Sequence, residues 1–97
     1  MRLNTEVFDV IIIGGGASGL MSASVAAKNG KRVLIIEKNK NLGEKLKITG
    51  GGRCNITNAQ FNIKEFLKIY GDDGKLLSSA FSKFSAQDTF DFFESRG

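Results

Sequence analysis

The run Val10-Ile11-Ile12-Ile13-Gly14-Gly15-Gly16-Ala17-Ser18-Gly19 restricts this chain more than any other stretch, because an unbroken apolar segment passes directly into glycines spaced G-x-G-x-x-G. A strand-like run, Val7 to Ile13, precedes the glycines, and small and apolar residues from Ala17 to Ala27 follow them in a helix-like run. Three glycines alone say little; placed between a strand and a helix they predict a turn that cradles a pyrophosphate. Gly14 makes the tight bend, Gly16 lets the backbone approach the phosphates, and Gly19 lets helix and strand pack closely. The amides of Ala17 and Ser18 then sit at the helix N-terminus, where unpaired donors and the positive end of the helix dipole both favour an anion.

The residues that follow keep the same register. Ala23 is a small residue one turn into the helix on its sheet-facing side, and Gly30 stands where a C-terminal glycine ends a helix. Arg32 to Ile36 reads as a second, buried strand, and it delivers Glu37 about 20 residues beyond the glycines, where an acidic residue takes ribose hydroxyls. A carboxylate there accepts hydrogen bonds from an unphosphorylated ribose and repels a 2′-phosphate, so FAD or NAD is favoured over NADP.

Composition narrows the classes. Cys54 is the only cysteine, which excludes an internal disulfide and a C-x-x-C pair, and the absence of histidine removes the usual metal ligand and general base; no metal site is expected. No apolar run approaches the roughly 20 residues of a membrane span. Glu6 and Asp9 ahead of the strand are unlike a basic signal peptide, so the cytoplasm is the expected location. Lys28, Lys31, Arg32, Lys38, Lys40, Lys45, Lys47 and Arg53 make the region around the second strand basic against only Glu37 and Glu44. Beside a dinucleotide fingerprint this reads as phosphate compensation or a solvated face. Nucleic acid is disfavoured, since no aromatic residues interleave with the charges.

A second glycine cluster, Thr49-Gly50-Gly51-Gly52-Arg53-Cys54-Asn55, pairs backbone freedom with a cation. Successive glycines let amides converge on an anion and Arg53 can add a bidentate contact, although a flexible linker has the same composition. From residue 59 onward the chain reads as helical: Asn62 caps a helix to about Tyr70, Gly71-Asp72-Asp73-Gly74 is a turn, and Gly74 to Phe84 is a second helix. Ser85-Ala86-Gln87-Asp88 then resembles a capping box opening a helix to Arg96, with Phe90, Phe92 and Phe93 as a packing stripe. No third parallel strand is visible, so the chain is expected to be the opening of a larger protein, and the phenylalanine-rich helix is expected to lack partners and to favour oligomers.

Taken together, Gly14-Gly15-Gly16-Ala17-Ser18-Gly19, Glu37-Lys38-Asn39, Gly43-Glu44-Lys45 and Thr49-Gly50-Gly51-Gly52-Arg53-Cys54-Asn55-Ile56-Thr57-Asn58 resemble the N-terminus of the BaiN/YhiN-like bacterial flavoproteins, NAD(P)/FAD-dependent oxidoreductases that include aminoacetone-oxidase-like enzymes. The resemblance implies an α/β fold: the N-terminal βαβ of a Rossmann-like FAD-binding domain of the two-dinucleotide-binding type, followed by helices. Residues 1–58 would form the βαβ unit and glycine-rich FAD loop, and 59–97 a helical segment. It implies FAD as cofactor, NAD(P)H or an organic substrate as electron donor, and a small-molecule substrate. Gly14, Gly16, Ala17, Ser18 and Gly19 would hold the pyrophosphate and Glu37 the adenosine ribose, while Lys38, Lys45, Gly51, Gly52, Arg53 and Asn55 would lie along the ribityl or flavin side. Cys54, without a resolving cysteine, is expected to be a small buried residue near the flavin. The catalytic residues are expected beyond Gly97. An NAD-dependent dehydrogenase is the alternative enzyme, which the second glycine loop argues against; a non-catalytic or RNA-associated flavoprotein using the basic face is the alternative of another class.

Overall fold

A computed structural model describes residues 5–97. The chain divides into two compact units, one extending to Ile56 and the other covering Thr57–Gly97.

The first unit is a βαβ unit with an appended helix: β1 (Val10–Ile13), α1 (Ala17–Lys28), β2 (Val33–Ile36) and α2 (Glu44–Gly52). The two strands are parallel, with Val10 opposite Val33 and Ile12 opposite Ile35. Runs of β-branched residues favour this pairing, and a parallel pair requires a long crossover, here α1. The helix ends as its sequence dictates. Gly30 takes a left-handed φ of 75°, its N–H donates to Ala27, and Lys31 N–H donates to Ala26, which is the Schellman arrangement.

β1 is shorter than the apolar run suggests. The Asp9 carboxylate accepts the Arg32 N–H at 2.8 Å, while the Arg32 guanidinium reaches the Val7 carbonyl and lies 4.9 Å from the centre of the Phe8 ring. Asp9 N–H also donates to the Arg32 carbonyl at 2.9 Å, so side chains join the backbone pairing just ahead of Val10. β2 is also less buried than expected. Val33, Leu34 and Ile35 are half-buried, whereas Ile36 is exposed.

The second glycine cluster interrupts α2 and turns the chain, as its backbone freedom leads one to expect. A helix starts at Glu44, but Thr49 (ψ 153°), Gly50 and Gly51 (φ 59° and 64°) are non-helical and break it. Gly52 and Cys54 are left-handed too, at φ 84° and 56°. Thr49 pins the resulting turn: its hydroxyl donates to the Leu46 carbonyl at 2.9 Å and its carbonyl accepts from Cys54 N–H at 3.0 Å.

The second unit contains α3 (Ile63–Lys68), a single 3₁₀ turn (Gly71–Asp73), α4 (Gly74–Lys83) and α5 (Ala86–Glu94). The Asn62 side chain caps α3 by accepting Glu65 N–H, and Ser85 and Asp88 form the reciprocal capping box of α5. Phe66 is buried, with the Phe81 ring 4.7 Å and the Tyr70 ring 5.9 Å from it. The phenylalanine stripe of α5 is split in use: Phe90 meets Phe61 edge-on at 5.5 Å, Phe92 lies under the Arg96 guanidinium at 3.7 Å, and Phe93 is exposed. Among the described residues no helix is long and apolar enough to cross a membrane.

Candidate functional site

The glycine turn is assembled from both strands. Gly14 has φ 100°, and its N–H donates to the Ile36 carbonyl at 2.7 Å, carrying the ladder one step past the strands. Gly19 is buried on the sheet side of α1, and a Cβ there would coincide with the Gly14 carbonyl oxygen. Only glycine permits this approach. Gly16 differs: its backbone is extended (φ −85°, ψ −165°) and a Cβ would meet no protein atom within 4 Å. Among the described residues nothing requires glycine there, and the space beside it is open to solvent.

Gly16 is the N-cap of α1 and makes no side-chain cap, and the first turn carries no acidic residue. The leading amides of the helix, Ala17 and Ser18 among them, therefore have no intrahelical acceptor. Free amides and the positive end of the helix dipole at such a terminus suit an anion.

Glu37 stands at the end of β2 and faces this turn. One carboxylate oxygen accepts Gly15 N–H at 2.9 Å and the other accepts Asn39 N–H at 2.6 Å. The Asn39 and Gly15 amides, in that order, outweigh a small desolvation effect and, aided by the charge of Lys38, hold the carboxyl below its usual 4.5. Glu37 is thus an anion near neutrality, with lone pairs left for ribose hydroxyls because a carboxylate offers about four acceptor sites. An open cleft of about 340 Å³ lies between the two features. Gly15, Gly16 and Ala17 form one side, Glu37, Asn39 and Asn41 a second, and Gly43, Glu44 and Lys45 close it.

Of the residues the sequence singled out, Gly16, Ala17, Glu37 and Lys45 line this cleft, and Gly14, Ser18 and Gly19 shape the turn and helix start beside it. Lys38 is exposed and acts on Glu37 by its charge. Gly51, Gly52, Arg53 and Asn55 are exposed residues beyond the break in α2 and do not line the cleft. Cys54 corrects an expectation: it is exposed, not buried, and holds a left-handed backbone that glycine adopts more readily. The sequence reading left Asn39, Asn41 and Glu44 without a role, yet they line the cleft. The alternation of Asn39 and Asn41 with Lys38 and Lys40 after Glu37 is the available signal for the first two. The open cradle at Gly16, the free helix amides and the charged Glu37 suit the pyrophosphate and ribose of an adenine dinucleotide.

Comparison with known proteins agrees with this geometry. Residues 8–97 match the HI0933-like protein Rossmann domain. The chain is 37% identical over 92 residues to the ribosomal RNA dihydrouridine synthase of Escherichia coli K12, covering 95% of this chain and 22% of that protein. It is 38% identical over 88 residues to the 3-dehydro-bile acid delta(4,6)-reductase of Clostridium scindens, covering 89% and 21%. A shorter match, 43% over 44 residues, joins it to the digeranylgeranylglycerophospholipid reductase of Methanocaldococcus jannaschii, covering 45% and 11%. The chain spans about a fifth of the length of the first two relatives. With its parallel βαβ start, glycine turn and succeeding helices, it belongs to the family of HI0933-like Rossmann domains.

Proposed function

We propose that this chain supplies the ADP-binding part of an FAD site in an oxidoreductase that adds hydrogen across an electron-poor carbon–carbon double bond. The observation that carries the reading is the pairing of an open Gly16 cradle with an ionised Glu37 across one cleft. The Gly16, Ala17 and Ser18 amides would hold the pyrophosphate, Glu37 the adenosine ribose, and Lys45 would offset phosphate charge. Lys38, Gly51, Gly52, Arg53 and Asn55 would lie nearer the flavin end. When bound, FAD supplies the hydride chemistry; the residues of this chain bind and orient it.

The relatives' names suggest the type of reaction proposed. A dihydrouridine synthase and a delta(4,6)-reductase both end in a saturated bond where their substrates hold a double bond. The reductant would be NAD(P)H and the location cytoplasmic. The absorption spectrum of the protein purified at its natural length tests the cofactor: the two visible bands of flavin, with FAD released on heating, are expected, and a colourless folded protein that binds NAD would overturn the reading. Consumption of NAD(P)H with candidate enones then tests the reaction.

A small organic molecule is the first substrate class. A second reading, an RNA substrate, is favoured by the ribosomal RNA dihydrouridine synthases among the relatives, including that of Haemophilus influenzae, and by the charge distribution: residues 1–56 hold nine basic and four acidic residues, against five and six in 57–97. RNA binding that weakens steeply with salt would select it.

A further inference from the structure

Gly15 occupies the variable position of the G-x-G-x-x-G pattern, and the pattern gives it no task. In the fold it is buried and held on three sides by one segment, residues 37–43. Its N–H donates to the Glu37 carboxylate at 2.9 Å, and its carbonyl accepts Gly43 N–H at 2.8 Å. The Leu42 side chain covers its Cα so closely that a Cβ would overlap Leu42 Cδ2 and also touch Ile35 Cγ2 at 3.5 Å. Gly43 takes a left-handed φ of 66° at the N-cap of α2, which turns its N–H back toward Gly15.

The structure assigns to Gly15 and Leu42 a joint positioning role: they fasten the segment that carries Glu37, Asn39 and Asn41 to the phosphate turn, so that the ribose and pyrophosphate contacts are pre-set as one body before the cofactor arrives. The contrast with Gly16 supports this. A Cβ at Gly16 would point into open space, whereas one at Gly15 would meet the end of the Leu42 side chain that packs over the turn. Pre-organisation of this kind strengthens binding by removing the ordering cost of the loop. Leu42 is itself partly exposed, so its role rests on contact with Gly15 and not on burial in a core.

The inference builds on the proposed FAD site, and a double-mutant cycle in the protein at its natural length tests it. Gly15→Val is expected to weaken FAD binding about tenfold or more, the scale of an overpacked contact. In a Leu42→Ala background, where the space is vacated, the same change is expected to cost less than about threefold. A loss that Leu42→Ala does not relieve, or no loss at all, would overturn the role. Amide hydrogen exchange of the cofactor-free protein provides an arm that is independent of FAD and of the Gly15 variant's folding. Gly15 and Gly43 amides are expected to exchange slowly, and Leu42→Ala to accelerate both; rapid exchange in the unmodified protein, or no acceleration, counts against the fastening. Should the protein bind no FAD, the proposed function falls while the exchange result still decides whether Gly15 and Leu42 hold the segment.

Discussion

Two residues of the cleft make separable demands. At Gly16 the backbone is extended and its Cβ direction is empty, so Gly16→Val is compatible with the fold and adds bulk only where a phosphate would lie. FAD affinity should fall about 10- to 100-fold, the scale of losing one charge-assisted hydrogen bond, with the circular dichroism spectrum unchanged. A variant that retains FAD would remove the phosphate turn from consideration. Glu37 makes a pH-dependent demand. Its carboxyl is depressed below 4.5 in the folded chain, first by Asn39 N–H and then by Gly15 N–H. The stabilisation is therefore complete above the ordinary carboxyl value and disappears as pH falls through the lower, folded one. Gly15 and Asn39 amide resonances should shift together with a midpoint below 4.5, and Glu37→Gln should abolish that shared titration. The turn at Gly14, the close approach at Gly19 and the place of Glu37 at the end of β2 were legible because each depends on local spacing along one strand–turn–helix–strand path. The places of Gly15, Asn39 and Asn41 were not, because they depend on how the segment after β2 folds back on the turn.

At the scale of elements, caps and close approaches read better than boundaries do. The Schellman end of α1 and the Asn62 and Ser85 caps stand where the residue types placed them, since each is a contact between near neighbours. β1 is shorter than the apolar run because, ahead of Val10, pairing to Arg32 is shared between the Asp9 backbone and its side chain, a contact 23 positions apart in sequence. Left-handed angles at Gly50, Gly51 and Gly52 allow a break in a helix as readily as a loop, and composition does not distinguish the two. Packing of α1 on β1 has a single narrow point. Gly19→Ala should force the helix off the Gly14 carbonyl and destabilise the fold by about 1–3 kcal/mol, measured by urea denaturation. Removing the Ser85 cap with Ser85→Ala should cost about 1 kcal/mol, localised by hydrogen exchange to α5; an effect spread over α1 would contradict a local cap.

The molecule as a whole carries a sheet with one dressed face. Val10 and Ile12 point to the side where Gly19 brings α1 against Ile12, and through the parallel register Val33 and Ile35 share that side. Ile11 and Ile13 point the other way and are 57% and 79% exposed, with Ile36 beside them at 48%. Among the described residues the sheet has only these two strands, which leaves both edges open, and a bare apolar face next to an open edge is a template for association. Burial across the described residues is correspondingly thin: Phe66 and Ala86 are the buried hydrophobic side chains among them. The 97-residue polypeptide prepared by itself should therefore bind a hydrophobic dye such as ANS and self-associate in a concentration-dependent way by analytical ultracentrifugation. Replacing Ile11 and Ile13 with threonine keeps β-branching while removing apolar surface, and should reduce both signals without disturbing α1, whose contacts lie on the opposite face. A similar reduction from Phe93→Ser in place of the isoleucine changes would move the sticky surface to α5, where Phe93 is exposed, and would make the phenylalanine stripe the source of any oligomer. The sheet is the expected source, because its apolar residues are contiguous and its edges unpaired, whereas Phe90 and Phe92 on α5 already have partners in Phe61 and Arg96.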